Sequence, residues 1–315
     1  SKKNSEKATA KAKCTVNKNI TLYAVQKKAV QLTFHRCDGS TWQKTTLAKG
    51  SSYSLPGVRD AEGYTFMGWS TKPMQSVSPQ YEAEEKITVN GNVDLYAVVF
   101  NRTTETDLTE DQLPQVDIYK YKQVIFVGDS RTEFMENVLT GMGESATKNV
   151  KFVCSAGKGL DWFTTTGWAQ LYSIVQHDSN SILSKKTAVI FNFGVNDLSK
   201  SADYAEYYNW IAPQLKSKGC ELYFMSVNPV NRLMLPNAGR ADRSEAAVRS
   251  FNQYMKANLS SAYTYIDMYS YLKSTGYSFA SDHYGTGTVD DGLHYTTRTY
   301  KRIFAKCMDS LRVPA

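Results

Sequence analysis

The stretch Gln123-Val124-Ile125-Phe126-Val127-Gly128-Asp129-Ser130 decides how the larger part of the chain is read. Its middle is a short run of apolar, largely β-branched residues, as a strand buried on both faces of a parallel sheet requires. The run stops at a glycine, and a helix-like stretch follows. The same rhythm recurs downstream. Lys151-Phe152-Val153-Cys154, Ala188-Val189-Ile190-Phe191-Asn192-Phe193, Leu222-Tyr223-Phe224-Met225-Ser226-Val227 and Tyr263-Thr264-Tyr265-Ile266-Asp267 read as strands. Helix-like stretches lie near 131–142, 161–176, 202–218, 242–259 and 295–311. Strictly alternating strands and helices predict an α/β domain over residues 119–315, three layers thick, with a parallel sheet between two layers of helices.

In open parallel sheets, reacting groups gather beyond the carboxyl ends of the strands. The residues found there are Gly128-Asp129-Ser130, Ser155-Ala156-Gly157-Lys158-Gly159, Gly194-Val195-Asn196-Asp197 and Asn228-Pro229. Asp291-Gly292-Leu293-His294 precedes the last helix. This set suits acyl transfer. A serine hydroxyl needs an imidazole to take its proton, and the imidazole needs a carboxylate to fix its tautomer. Charge developing on the substrate oxygen needs N–H donors already in place. Ser130, His294 and Asp291 can fill the first three roles. The backbone N–H groups of Ser130 and of Gly159 (or Gly157), with the Asn196 amide, can form the oxyanion hole.

Each piece also has an ordinary use. Gly-Asp-Ser is a common turn, Asn196-Asp197 suits a helix cap, and Asp290 competes with Asp291. His283 beside Asp282 is a rival pair in a Gly-rich loop. Asp129 reads as a turn or helix-start residue. Arg131 reads as a surface cation, with contact to an anionic substrate as the alternative. Trp162 and Tyr204 are candidates for stacking on a sugar if either lines the cleft.

Taken together, Gly128-Asp129-Ser130, the Gly159 loop, Gly194-Val195-Asn196-Asp197 and Asp291-Gly292-Leu293-His294 resemble, in order and spacing, the blocks of the SGNH hydrolases, also called the GDSL family. The resemblance covers residues 120–312. It implies a serine esterase that works through an acyl-enzyme without metal or organic cofactor. Arg131 stands where the family name has leucine, and the second block lacks its usual asparagine, with Cys154 or Ser155 near that place.

Upstream the rhythm differs. Gln31-Leu32-Thr33-Phe34, Tyr53-Ser54-Leu55-Pro56, Tyr64-Thr65-Phe66-Met67 and Val93-Asp94-Leu95-Tyr96 are short strand-like pieces between Gly, Pro, Asn and Asp turns, which predicts a small all-β module over 30–100. Residues 16–25 match residues 89–98 at seven of ten positions. The first 29 residues therefore read as a tail plus the last strand of a preceding copy, and the chain as a piece of a longer repeat-bearing protein. Gly63-Tyr64-Thr65-Phe66-Met67-Gly68-Trp69 and Leu95-Tyr96-Ala97 make the module similar to the Listeria–Bacteroides repeat, also called the InlB B-repeat. That similarity implies a secreted or surface-attached bacterial protein, with the module as spacer or adhesive unit towards the cell wall. Its Tyr/Phe/Trp alternation would place large rings on one face as the core of a small sheet. Polar residues 101–118, with Pro114, read as a linker.

Composition narrows the partners. The net charge is +7, but five lysines against one glutamate in the first thirteen residues supply more than half of it. A solvated tail explains that better than a nucleic-acid-binding arm. There is no run long enough to span a membrane, and no apolar leader segment stands near the start. The five cysteines form no metal-ligand pattern; pairing of Cys14 with Cys37 stays open. The combined expectation is a secreted esterase acting on acyl esters, foremost O-acetyl groups of a glycan. A lipase or thioesterase, an acyltransferase and a silent surface-adhesion protein are the alternatives.

Overall fold

The computed structural model of the protein describes residues 27–117, 120–178, 186–235, 243–279 and 291–311. The expected earlier repeat copy at 16–25, Cys14, the rival Asp282/His283 pair and Asp290 lie outside the described residues.

The N-terminal module is built from β1 (Ala29–His35), β2 (Thr41–Ala48), β3 (Ser51–Ser54), β4 (Tyr64–Ser70), β5 (Lys86–Val89) and β6 (Val93–Asn101). Four strands form one sheet in the order β2-β1-β6-β4, and β3 pairs with β5 in a two-stranded ribbon. Leu32, Phe34, Leu55, Phe66, Trp69 and Leu95 make its own small core. The ring alternation expected of β4 is broken. The register slips between Phe66 and Gly68, and such a bulge shifts the side-chain period. Phe66 and Trp69 thereby share one face, while Tyr64 is left 42% exposed. Trp42 stacks on Trp69 from outside, with ring centroids 5.9 Å apart.

The second part follows the strand–helix rhythm. Strands β7 (Tyr121–Gly128), β8 (Val150–Cys154), β9 (Lys186–Asn192), β10 (Cys220–Met225) and β11 (Tyr263–Ile266) form a sheet in the order β11-β10-β9-β7-β8. Every pairing in it is parallel. The helices are α1 (Ser130–Met142), α2 (Leu160–Trp162), α3 (Trp168–Asp178), α4 (Ser201–Lys216), α5 (Glu245–Asn258), α6 (Met268–Thr275) and α7 (Thr297–Ser310). A π-helical turn, Phe163–Gly167, joins α2 to α3. Alternate residues of β7 serve opposite faces, as the strand period demands. Ile125 and Val127 pack towards Leu171 of α3, Tyr208 of α4 and Val248 of α5. Val124 and Phe126 pack towards Met135 of α1, Leu272 of α6 and Phe304 of α7. This is the three-layer α/β/α arrangement.

The two parts touch extensively. Met67, Val98 and Phe100 of the module belong to the same buried cluster as Phe126 and Phe304. Burying side chains of that size contributes about 1.5–3 kcal/mol each. The segment joining the parts is packed down rather than held out in solvent. Leu113 and Val116 lie in that cluster, and buried Glu105 pairs with Arg302 at 3.0 Å. Among the described residues, no helix is long and apolar enough to cross a membrane.

Candidate active site

The strand register places the expected loops at one rim. Gly128 at the end of β7 lies opposite Cys154 at the end of β8 and Asn192 at the end of β9. Asp129 caps α1, its Oδ1 accepting the Arg131 N–H at 3.0 Å, so Ser130 is the first residue of the helix, where backbone N–H groups and the helix dipole favour negative charge. Ser130 Oγ lies 2.9 Å from His294 Nε2, across 164 residues of sequence. His294 Nδ1 lies 2.5 Å from Asp291 Oδ2.

The Asp291 carboxylate also shapes its own turn. Its Oδ1 accepts the N–H groups of Leu293 at 2.8 Å and His294 at 2.7 Å. Burial pushes this carboxyl up, but the His294 ring and the two N–H groups outweigh it and hold the pKa below the ordinary carboxylate value. With Asp291 ionised, Nδ1 carries the proton and donates to it. Nε2 is then left to accept from the Ser130 hydroxyl. Phe134 of α1 covers the imidazole, with ring centroids 4.3 Å apart.

The Gly159 and Asn196 loops are tied together. Asn196 Nδ2 donates to the Lys158 carbonyl at 2.7 Å. Asp197 Oδ2 accepts the Leu160 N–H at 2.9 Å, and Oδ1 accepts the Tyr204 hydroxyl at 2.7 Å. A Cβ at Gly159 would stand 2.3 Å from Asp197 Oδ2, so only glycine lets these loops approach so closely. A Cβ at Gly157 would meet nothing within 4 Å. Asp197 thus does not cap its own following turn but braces the preceding loop.

Two further sequence expectations need correction. Arg131 is 2% exposed and is no surface cation. Its guanidinium donates to the carbonyls of Leu293 (3.0 Å), Asn228 (2.9 Å) and Pro229 (2.9 Å), where a leucine could satisfy none of them. Tyr204 is fully buried and cannot face a sugar. Trp162 leans on Phe193, with centroids 6.1 Å apart. Arg243 was missed altogether. It is buried and donates to Asn196 Oδ1, a contact that turns the amide nitrogen the other way. Nothing in its local sequence marks it, because the partner is remote in the chain. Cys154 donates to Glu136 at 3.3 Å, and burial pushes its thiol well up, so it is no thiolate nucleophile. Among the described residues, Cys37, Cys154 and Cys307 are free thiols. Among the described residues, no group of three or more His, Cys, Asp or Glu side chains is placed to hold a metal ion.

Asp129 provides a pH test. Burial pushes its carboxyl up to about 6, against the opposing pull of Arg131 and Arg243. An acid raised in this way stabilises the fold most below its ordinary value of about 3.9 and loses that contribution as pH rises through about 6. Asp129→Asn keeps the helix cap and removes the titration. Thermal melting should therefore favour the variant increasingly between pH 4 and 7, by a total on the order of 2–3 kcal/mol. A difference that stays constant across that range would show that Asp129 is ionised throughout.

Comparison with known proteins agrees with this architecture. Residues 31–98 match the family model of the Listeria-Bacteroides repeat domain, and residues 124–307 match that of the GDSL-like lipase/acylhydrolases. No curated protein matches the chain. Among solved structures, a Bacteroides fragilis NCTC 9343 protein assigned as an acylhydrolase is 16% identical, with 64% of this chain and 92% of that one covered and a TM-score of 0.41. The acetyl xylan esterase AlAXEase is 10% identical, with 60% and 100% covered and a TM-score of 0.39. A member of the lipolytic G-D-S-L family from Veillonella parvula DSM 2008 is 17% identical, with 60% and 97% covered and a TM-score of 0.36. With more than half of its residues inside one family model, the chain belongs to the GDSL-like lipase/acylhydrolase family.

Proposed function

We propose that this acylhydrolase is a secreted or surface-attached serine esterase that removes O-acetyl groups from a glycan. The observation that carries the chemistry is the unbroken line from Asp291 Oδ2 through the His294 ring to Ser130 Oγ, with contacts of 2.5 and 2.9 Å. As the Ser130 oxygen bonds to the ester carbonyl carbon, its proton passes to His294 Nε2. The backbone N–H groups of Ser130 and Gly159 and the Asn196 amide receive the charge on the carbonyl oxygen. Collapse breaks the bond to the alcohol, which leaves with the proton from His294. Water repeats the sequence on the acyl-enzyme, releasing the acid and restoring Ser130. No metal or cofactor is needed for any of these steps.

The glycan part of the reading is supported by the repeat module, whose family implies a bacterial surface setting. An O-acetylated polysaccharide is the ester this reading assigns to that setting. A fluorophosphonate probe should label Ser130 stoichiometrically, and kcat/KM on p-nitrophenyl esters should fall as the acyl chain lengthens from two carbons. Acetate release from acetylated xylan or peptidoglycan should follow. A preference for acyl chains of eight carbons or more would replace the acetylesterase with a lipase or thioesterase.

A further inference from the structure

The geometry points to the β module as part of the catalytic apparatus: Asp60, acting through Asn231, positions the turn that carries His294. This inference rests on the reading of His294 as general base. Asp60 lies in the module between β3 and β4, and its side chain is fully shielded from solvent. Its Oδ2 accepts from Arg102 at 2.8 Å. Oδ1 accepts the Phe66 N–H at 2.9 Å and Asn231 Nδ2 at 2.8 Å. Asn231 belongs to the loop after β10, so this last bond crosses from the module to the sheet domain. Asn231 Nδ2 also donates to the Val58 carbonyl at 3.0 Å. Both acceptors of this amide group therefore stand in the module.

The Asn231 backbone continues the line. Its N–H donates to the Gly292 carbonyl at 2.8 Å, and Gly292 stands between Asp291 and Leu293-His294. Gly292 has φ +67°, and a Cβ there would lie 2.2 Å from the Asn231 carbonyl oxygen. The two segments are thus in close contact, without slack. On its other side the turn is held by Arg131, which donates to the Leu293 carbonyl. The base is clamped between α1 and a loop whose own position is set by the module.

Other contacts keep the module docked. Lys273 Nζ donates to the Met67 carbonyl at 2.9 Å and pairs with Glu82 at 3.0 Å and Glu245 at 2.6 Å. Arg249 donates to the Ala83 carbonyl at 3.0 Å. With these anchors in place, the distinct consequence of the Asp60–Asn231 bond falls at Gly292. Displacement of a reacting group by about 1 Å can cost on the order of 100-fold in rate, so a partial shift of His294 is readily measured.

The test uses the full chain with Asp60→Ala, Asn231→Ala, Asp60→Asn and Arg249→Ala. Fluorophosphonate labelling gives the concentration of competent Ser130 sites, small acetyl ester kinetics give kcat and KM, and thermal melting reports the fold. Asp60→Ala and Asn231→Ala should each lower kcat per labelled site by about tenfold, with KM held within about twofold. Asp60→Asn retains an acceptor for Asn231 while removing the negative charge that pairs with Arg102. It should melt earlier yet keep kcat within about twofold of wild type. Arg249→Ala removes a module contact away from the turn and should likewise melt earlier with unchanged kcat. Wild-type kcat per site in the folded Asp60→Ala and Asn231→Ala proteins overturns the inference, as does a loss of kcat in all four variants that merely tracks lost stability. A wild-type chain that neither labels nor turns over an ester overturns the esterase reading, and this one with it.

Discussion

Ser130→Ala is expected to reduce kcat for a small acetyl ester by at least about 10⁴-fold while leaving the fold intact. The size follows from what the hydroxyl does: without it no acyl-enzyme forms, and only the oxyanion donors and substrate binding remain to assist water. The fold should survive because the variant removes one side-chain bond, to His294, at the first position of a helix that alanine favours. His294→Ala should cost nearly as much, and the double variant hardly more than either single one. Groups that act as one unit are not additive. Active-site labelling, steady-state kinetics and melting curves on the three variants provide the check. Retained turnover in Ser130→Ala, or independent losses that multiply in the double variant, would remove Ser130 and His294 from the chemistry.

What could be read from the sequence followed from burial. The three central strands of the parallel sheet, β7, β9 and β10, are covered on both faces and show as apolar runs, and the residues that end them announce the site. Ser130, Asp291 and His294 were legible because Gly128-Asp129-Ser130 and Asp291-Gly292-Leu293-His294 sit at boundaries between elements. Elements without that signature were missed. β2 reads Thr41-Trp42-Gln43-Lys44-Thr45-Thr46-Leu47-Ala48 and is largely exposed at the edge of its sheet, so it carries no apolar run. Helix α6 follows β11 almost directly, started by Asp267, whose Oδ1 accepts the Ser270 N–H at 3.1 Å. Its eight residues are too few to show a helical period. The roles of Arg131 and Asp60 were not legible at all, because they depend on acceptors and donors 97 to 171 residues away. A charged residue is exposed by default, and only its tertiary partners reveal otherwise.

The same remoteness gives Arg131 a large expected effect. Its planar guanidinium serves the Leu293, Asn228 and Pro229 carbonyls at once, and it rests over the Tyr295 ring, 5.2 Å from the centroid. Arg131→Met fills much of the space but leaves three carbonyls without this donor, at about 1–3 kcal/mol for each one that stays buried and unsatisfied. It also strips a cation from beside buried Asp129. A net destabilisation of about 3–5 kcal/mol is expected in denaturant unfolding. Because the Leu293 carbonyl adjoins His294, kcat should fall by about 100-fold even well below the unfolding midpoint. Arg131→Lys separates charge from geometry. A single ammonium cannot reproduce the three-way fork, so this variant should recover part of the stability and little of the activity. If lysine restores kcat fully, the cation alone matters and the carbonyl clamp does not position the base. If methionine leaves both stability and rate unchanged, Arg131 has no part in holding the Asp291–His294 turn.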